Sequence, residues 1–264
     1  MTLSTSLVAV WYSSDSVSSR LLACSASNSR VFSMAMTAWS ANVFSSSISL
    51  SENRPGAARV TAISKHQWSA YPHLRPAAVI PHGVDVSQFT FRAQPDDYVC
   101  YLGRFTSGKG PCQAIAAARA LGLRLLMAGP PNPYFREKVK PLVDGKTVEY
   151  AGFVRGAERD RLLGGARALL YPIQYPEAFG LVLVEAMLCG TPVAGMRLGA
   201  VSEIVDEGVT GYCADTPEDF LEAIGRSLLL DRRQIRQQAE RRFSAQEMAR
   251  GYARVYEEVV NTSR

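Results

Sequence analysis

Two glutamates stand eight positions apart in Pro176-Glu177-Ala-Phe-Gly180-Leu-Val-Leu-Val-Glu185. Glu177 lies just before Gly180, which opens an apolar helix, and Glu185 falls about one and a half turns into that helix. A carboxylate within Leu181–Leu188 does not suit a plain core, because burying it unpaired costs several kcal/mol. Two readings stand: a solvated face of the helix, or a polar ligand such as a sugar, whose hydroxyls donate to a carboxylate. The amides of Phe179, Gly180 and Leu181 sit at the helix start, where an anion or a hydroxyl oxygen can bind.

A second cluster is Gly103-Arg104-Phe-Thr-Ser-Gly108-Lys109-Gly110, between an apolar run and Pro111 in the first turn of a helix. Gly103, Gly108 and Lys109 are in register with the phosphate loop GxxxxGK[ST]. Gly110, however, replaces the hydroxyl that such a loop places on Mg²⁺, and no later strand ends in a matching carboxylate. A nucleoside triphosphatase is thereby disfavoured. A Gly-rich loop with two cations, Arg104 and Lys109, remains, and it suits an anion or else a turn with solvated charges. His66, His73 and His82 have no metal-ligand spacing, and His82 reads as structural. Trp68 and Tyr71 read as core rather than as a stacking platform.

The elements that must hold these groups alternate regularly. After a strand at Arg59–Ile63, a helix capped by Ser64 and a strand at Ala77–Ile80, the order is strand Tyr98–Leu102, helix Pro111–Leu121 and strand Leu123–Ala128. Gly129-Pro130-Pro131 breaks the chain before helix Tyr134–Leu142, strand Val148–Ala151, helix Glu158–Gly164 and strand Ala168–Tyr171. Helix Gly180–Leu188, strand Pro192–Ala194, helix Val201–Asp206 and strand Gly211–Cys213 follow. Three helices close the chain, at 217–229, 231–241 and 245–260. This pattern predicts an α/β fold, a Rossmann-like parallel sheet with helices on both faces. Such a sheet takes its ligand outside the carboxyl ends of the strands, where both clusters fall.

Composition narrows the function further. The chain has 264 residues, 47% hydrophobic and 20% charged, enough for a sizeable core. Its net charge of +5 is scattered, which argues against nucleic acid and suits an anionic small molecule. No transmembrane segment is predicted. Five cysteines form no CxxC pair and leave one over, so a reducing compartment, the cytoplasm, is expected. Residues 1–50 are unlike the rest: they hold 16 of the 25 serines, while all 20 glycines and all 14 prolines come later. Three accounts of residues 1–56 stay open: a targeting peptide, genuine but atypical structure, or a misread frame joined to the sequence that follows.

Taken together, the motifs resemble the retaining GT4-type (group 1) glycosyltransferases. PEAFGLVLVEAM resembles their EX7E motif. IPHGVD (80–85), YLGRFTSGKG (101–110), LLMAGP (125–130), YAGFV (150–154), LLYPIQYPEAFG (169–180) and CGTPVAG (189–195) follow in the family's order, and the likeness covers residues 57–264. It implies the C-terminal, donor-binding half of a GT-B fold, in which two Rossmann-like domains face each other across a cleft. The implied domains are an atypical Ser-rich segment at 1–56, a remnant of the N-terminal domain with the interdomain linker at 57–95, the donor domain at 96–242 and a C-terminal helix at 243–264.

The resemblance implies the following roles. Arg104 and Lys109 grip the donor diphosphate beside Gly103, and Glu177 contacts the sugar near the amides of Phe179, Gly180 and Leu181. Glu185 bonds the ribose, and the loop with Phe153 and Val154 flanks the base. No cofactor or metal is implied. The donor is a nucleotide-sugar, UDP-hexose first, and the acceptor is unnamed. Two departures stand out. The N-terminal domain is largely missing or replaced, so the chain reads either as a glycosyltransferase whose activity alone is in question, or as a non-catalytic nucleotide-sugar-binding module or half-enzyme needing a partner domain or chain. Gly199-Ala200 also stands where the family often has two glycines. The last helix carries an apolar stripe, Tyr252, Val255, Tyr256 and Val259, which is either left bare or packed within the chain.

Overall fold

The computed structural model describes residues 6–12, 21–25, 45–49, 60–71, 73 and 76–262, the first three runs and 259–262 by backbone alone. The described residues divide into two units: those up to Asp85 together with Ala245 onward, and Val86–Ser244.

In the first unit, β1 (Ser6–Tyr12), β2 (Leu21–Ser25) and β3 (Ser45–Ser49) form an antiparallel sheet with β1 central, Val8 opposite Ala23 and Val10 opposite Ser47. A parallel pair, β4 (Thr61–Ala62) and β5 (Ala78–Val79), brackets α1 (Lys65–Ser69). Ser64 caps α1 as predicted, its Oγ accepting from the Gln67 amide at 2.9 Å. Trp68 and Tyr71 correct the expectation of core residues: they are 41% and 51% exposed. The physical reason is length, since α1 has five residues and buries none of them.

The second unit is the α/β domain. Its strands are β6 (Val99–Leu102), β7 (Leu125–Ala128), β8 (Val148–Tyr150), β9 (Leu169–Tyr171), β10 (Val193–Met196) and β11 (Gly211–Ala214). All pair in parallel, in the order β11-β10-β9-β6-β7-β8. The helices are α2 (Pro111–Ala120), α3 (Gly156–Gly165), α4 (Leu181–Leu188), α5 (Val201–Ile204), α6 (Pro217–Ser227) and α7 (Arg232–Phe243). The predicted stretch Tyr134–Leu142 is less regular: a π-helical turn, Phe135–Val139, gives way to a 3₁₀ turn, Lys140–Leu142. Pro141 has no amide to continue an α-helical ladder there.

Amphipathic spacing decides how the layers stack. In α6, Phe220, Ala223, Ile224 and Ser227 recur at helical spacing and are buried. Phe220, Ala223 and Ile224 join Ala114, Ile115 and Ala118 of α2 against Val99, Tyr101, Leu125 and Met127 of the sheet. Thr216 caps α6 by accepting from the Asp219 amide at 3.1 Å, and Pro217 starts it. In contrast, α4 is apolar almost all round because it lies between β10 and α7. Residues 86–95, expected as linker, are bonded into this unit. The Arg92 amide donates to the Cys189 carbonyl at 3.1 Å, and the Arg236 guanidinium to the Phe89 carbonyl at 2.8 Å.

The final helix, α8 (Ala245–Thr262), belongs to the first unit. Its Met248, Tyr252 and Val255 are buried against Ile80, with Ala77, Ala78 and Tyr256 alongside. A side chain at Gly251 would come within 3.0 Å of Ile80 Cγ2, so the helix and the β5 segment approach closely. The apolar stripe is therefore packed within the chain. The side chain of Val259 lies outside the described residues.

Candidate functional site

Strands β6 and β9 are neighbours, with Cys100 beside Leu169, yet the chain leaves them in opposite directions across the sheet. That makes the β6/β9 seam the topological switch point, whose carboxyl ends open a crevice. The loops emerging there are 103–110 and 172–180, the two clusters singled out from the sequence.

The loops interlock. The Gln174 amide donates to the Gly108 carbonyl at 2.8 Å. Gly110 has φ of +69°, and a Cβ there would lie 1.9 Å from the Pro172 carbonyl oxygen, so this glycine serves loop-to-loop packing. The Tyr101 hydroxyl, from inside the sheet, holds the Arg104 carbonyl at 2.9 Å.

The interlocking brings Lys109 onto Glu177. Lys109 Nζ donates to Glu177 Oε2, and each side chain is only 15% exposed. A third group joins them: the hydroxyl of Tyr171, the last residue of β9, donates to the same Oε2 at 2.6 Å and stands 3.4 Å from Lys109 Nζ. Lys109 also lies 5.1 Å from the centre of the Tyr175 ring, within cation–π range. Burial by itself would raise the Glu177 carboxyl. The hydrogen bonds from Lys109 and Tyr171, with the lysine charge, bring it below the usual carboxylate range. Burial first, then the Glu177 charge, push the Tyr171 phenol well above its ordinary value, so it stays a donor.

The backbone of Glu177 is also held. Its carbonyl accepts from the Ala200 amide at 2.7 Å. Gly199 has φ of +65°, and a Cβ there would lie 2.3 Å from the Glu177 nitrogen. Of Gly199-Ala200, then, only the first position requires glycine. Ala200 has φ of −80° and is fully buried.

Glu185 is not on a solvated face. It is 5% exposed, and its Oε1 accepts from Arg159 Nη1 at 2.8 Å. Burial raises its carboxyl above the usual range, opposed by the Arg159 charge. The Arg159 guanidinium rests 5.6 Å from the Phe89 ring, and its Nε is buried without a hydrogen-bond partner. The remaining predicted site residues line the same end of the sheet. Arg104 is exposed and, among the described residues, has no carboxylate partner. The Gly103 amide donates to the Ala128 carbonyl at 3.1 Å. Phe153 is 49% exposed beneath the Arg155 guanidinium, and Val154 is buried. Phe179 packs edge-on against Phe243, Gly180 has φ of +88°, and Leu181 begins α4.

The structure thus joins Lys109 to Glu177 and pairs Glu185 separately with Arg159. Sequence reasoning missed two partners. Tyr171 carried a usable signal, a polar aromatic ending a buried strand beside the glutamate loop. Arg159 carried none, because its meeting with Glu185 depends on how α3 packs against α4. Among the described residues no group of three or more His, Cys, Asp or Glu side chains is placed to hold a metal ion. No described helix is long and apolar enough to cross a membrane.

Comparison with known proteins places the domain. The family profile "Glycosyl transferases group 1" matches residues 86–243. The chain belongs to the group 1 glycosyl transferases. It is 31% identical over 171 residues to a D-inositol 3-phosphate glycosyltransferase of Mycobacteroides abscessus, covering 57% of this chain and 39% of that protein. It is 31% identical over 205 residues to a glycogen synthase of Mycobacterium tuberculosis, covering 70% and 49%. The chain therefore spans less than half the length of these relatives. Among solved structures, AviGT4, a glycosyltransferase involved in avilamycin A biosynthesis, superposes with a TM-score of 0.66 at 29% identity, over 76% of this chain and 64% of that one. Anabaena HepE, solved with UDP and glucose, gives 0.64 at 20% identity over 76% and 63%, a likeness of fold alone. The six-stranded parallel domain of this group 1 glycosyl transferase chain is the Rossmann-like half of a GT-B architecture.

Proposed function

We propose that the Val86–Ser244 unit binds a nucleoside-diphosphate sugar, a UDP-hexose first, and that the chain serves transfer of the hexosyl group to an acceptor hydroxyl with retention of anomeric configuration. The observation that carries this reading is the meeting of Lys109, Glu177 and Tyr171 at the carboxyl ends of β6 and β9.

In this reading Lys109 and the exposed Arg104 take the diphosphate. As the bond from the sugar C1 to the diphosphate oxygen breaks, negative charge gathers on the leaving phosphate, where fixed cations lower the barrier most. The acceptor hydroxyl attacks C1 from the same face, and its proton passes to the departing phosphate oxygen. Glu177 and the amides of Phe179, Gly180 and Leu181 orient the hexose, and Glu185 accepts from the ribose hydroxyls. Gly103 lets the phosphates approach, and the Phe153–Val154 loop flanks the base. Acceptor contacts come from a partner domain or chain facing this unit. Cys100, Cys112, Cys189 and Cys213 are free thiols, in keeping with a cytoplasmic setting.

Titration calorimetry of the full chain with UDP, UDP-glucose, GDP-mannose and ADP-glucose tests the reading. One of them is expected to bind. Arg104→Ala and Lys109→Ala should each weaken the nucleoside diphosphate about tenfold, the worth of one charge-assisted contact, while leaving the free nucleoside unchanged. Equal loss for both ligands would refute a diphosphate clamp. Binding without transfer to any acceptor would support a donor-binding module instead.

A further inference from the structure

The Tyr171 hydroxyl has no part in the roles assigned so far, yet it shares one oxygen of Glu177 with Lys109. It stands on the last residue of a central strand, opposite Gly195, and is 5% exposed. The Cβ position of Gly180, at the start of α4, is 3.4 Å from its oxygen, so the phenol is clasped between sheet and helix.

A conflict is built into this cluster. Lys109 is held by Glu177, and a donor diphosphate needs the same ammonium. When Lys109 turns to phosphate, Glu177 is left largely buried, where a carboxylate without a donor is costly. Without Tyr171 only the Ala178 amide would stay on the carboxylate, and Glu177 would pull Lys109 back and so compete with the ligand. We propose that Tyr171 is a positioning residue that keeps Glu177 satisfied while Lys109 is released to the donor phosphates. Lysine is a flexible point charge that can make this exchange, whereas the tyrosine, fixed at the strand end, cannot leave. The proposal rests on the diphosphate reading of Lys109 given above.

The test is a double-mutant cycle on the full chain at pH 7.5. The nucleoside diphosphate that the wild type binds, among UDP, GDP and ADP, is the probe, and its nucleoside is the control. Tyr171→Phe keeps the ring and removes the hydroxyl. It should weaken the diphosphate about fivefold to tenfold, less than one full hydrogen bond to a charged group because the Ala178 amide stays on the carboxylate, and leave the nucleoside unchanged. Glu177→Gln removes the competitor and should tighten the diphosphate. In that background Tyr171→Phe should change nothing further. No effect of Tyr171→Phe, or the same loss in both backgrounds, overturns the inference, the second outcome marking a merely structural phenol. If Lys109→Ala leaves diphosphate binding intact, the diphosphate reading itself falls, and this inference falls with it.

Discussion

The Arg159–Glu185 pair offers the sharpest test of the packing of this domain. Glu185 is 5% exposed, and its carboxylate accepts from the Arg159 guanidinium at 2.8 Å. Removing one member of a buried pair costs roughly 3–5 kcal/mol because the other is left uncompensated. The Arg159 side chain is 30% exposed, so water will partly replace it, and the expected loss for Arg159→Met falls at or below the lower end, about 2–3 kcal/mol. The Arg159→Met/Glu185→Gln double variant should recover most of that loss. The pH dependence has a definite sign. Burial raises the Glu185 carboxyl, so its folded state favours the proton, and stability falls as pH rises through the shifted range. Without Arg159 the carboxyl rises further. The penalty of Arg159→Met should therefore be larger at pH 7.5 than at pH 5. Urea unfolding followed by far-UV circular dichroism measures it. Tryptophan fluorescence would not, since Trp11, Trp39 and Trp68 all precede Val86. An equal penalty at both pH values, with no recovery in the double variant, would refute the argument that Arg159 compensates a buried charge.

Two further outcomes follow from the loops. Gly199→Ala should lose at least about 3 kcal/mol of stability, from left-handed strain and the approach to the Glu177 backbone, whereas Ala200→Gly should lose about 1–2 kcal/mol, from chain entropy and one buried methyl; urea unfolding separates them, and equal losses would refute the assignment. The Glu177 carboxyl lies below its usual range, so its pairing stabilises the fold above the ordinary carboxylate pKa and is lost as pH falls through the depressed value. The penalty of Glu177→Gln should accordingly shrink on acidification below about pH 4, and a penalty independent of pH down to pH 2 would show that the pair contributes nothing.

Why the loops were legible and their partners were not has a physical answer. Strands β6, β7 and β9 are short apolar runs ended by glycine or proline, and α6 has both a cap and an apolar face. Local sequence therefore marks where Val99–Leu102 or Pro217–Ser227 begins and ends. Parallel strands joined by helical crossovers put the loops after β6 and β9 at the same end of the sheet, whereas the pairing of β6 with β9 comes from the structure. Lys109 and Glu177, 68 residues apart in the chain, could be assigned to that end of the sheet on this basis. Their direct pairing could not, because it depends on Gly110 resting on the Pro172 carbonyl, a contact set by loop conformation. The same holds for Glu185: its apolar neighbours marked a carboxylate in need of a polar partner, but not that the partner is a counter-charge on another helix. Charges on one helix face announce themselves by spacing, but charges that meet between elements do so only through tertiary packing. Residues whose partners lie on another element, Tyr171 and Arg159 here, are thus where structure adds most to a reading of function.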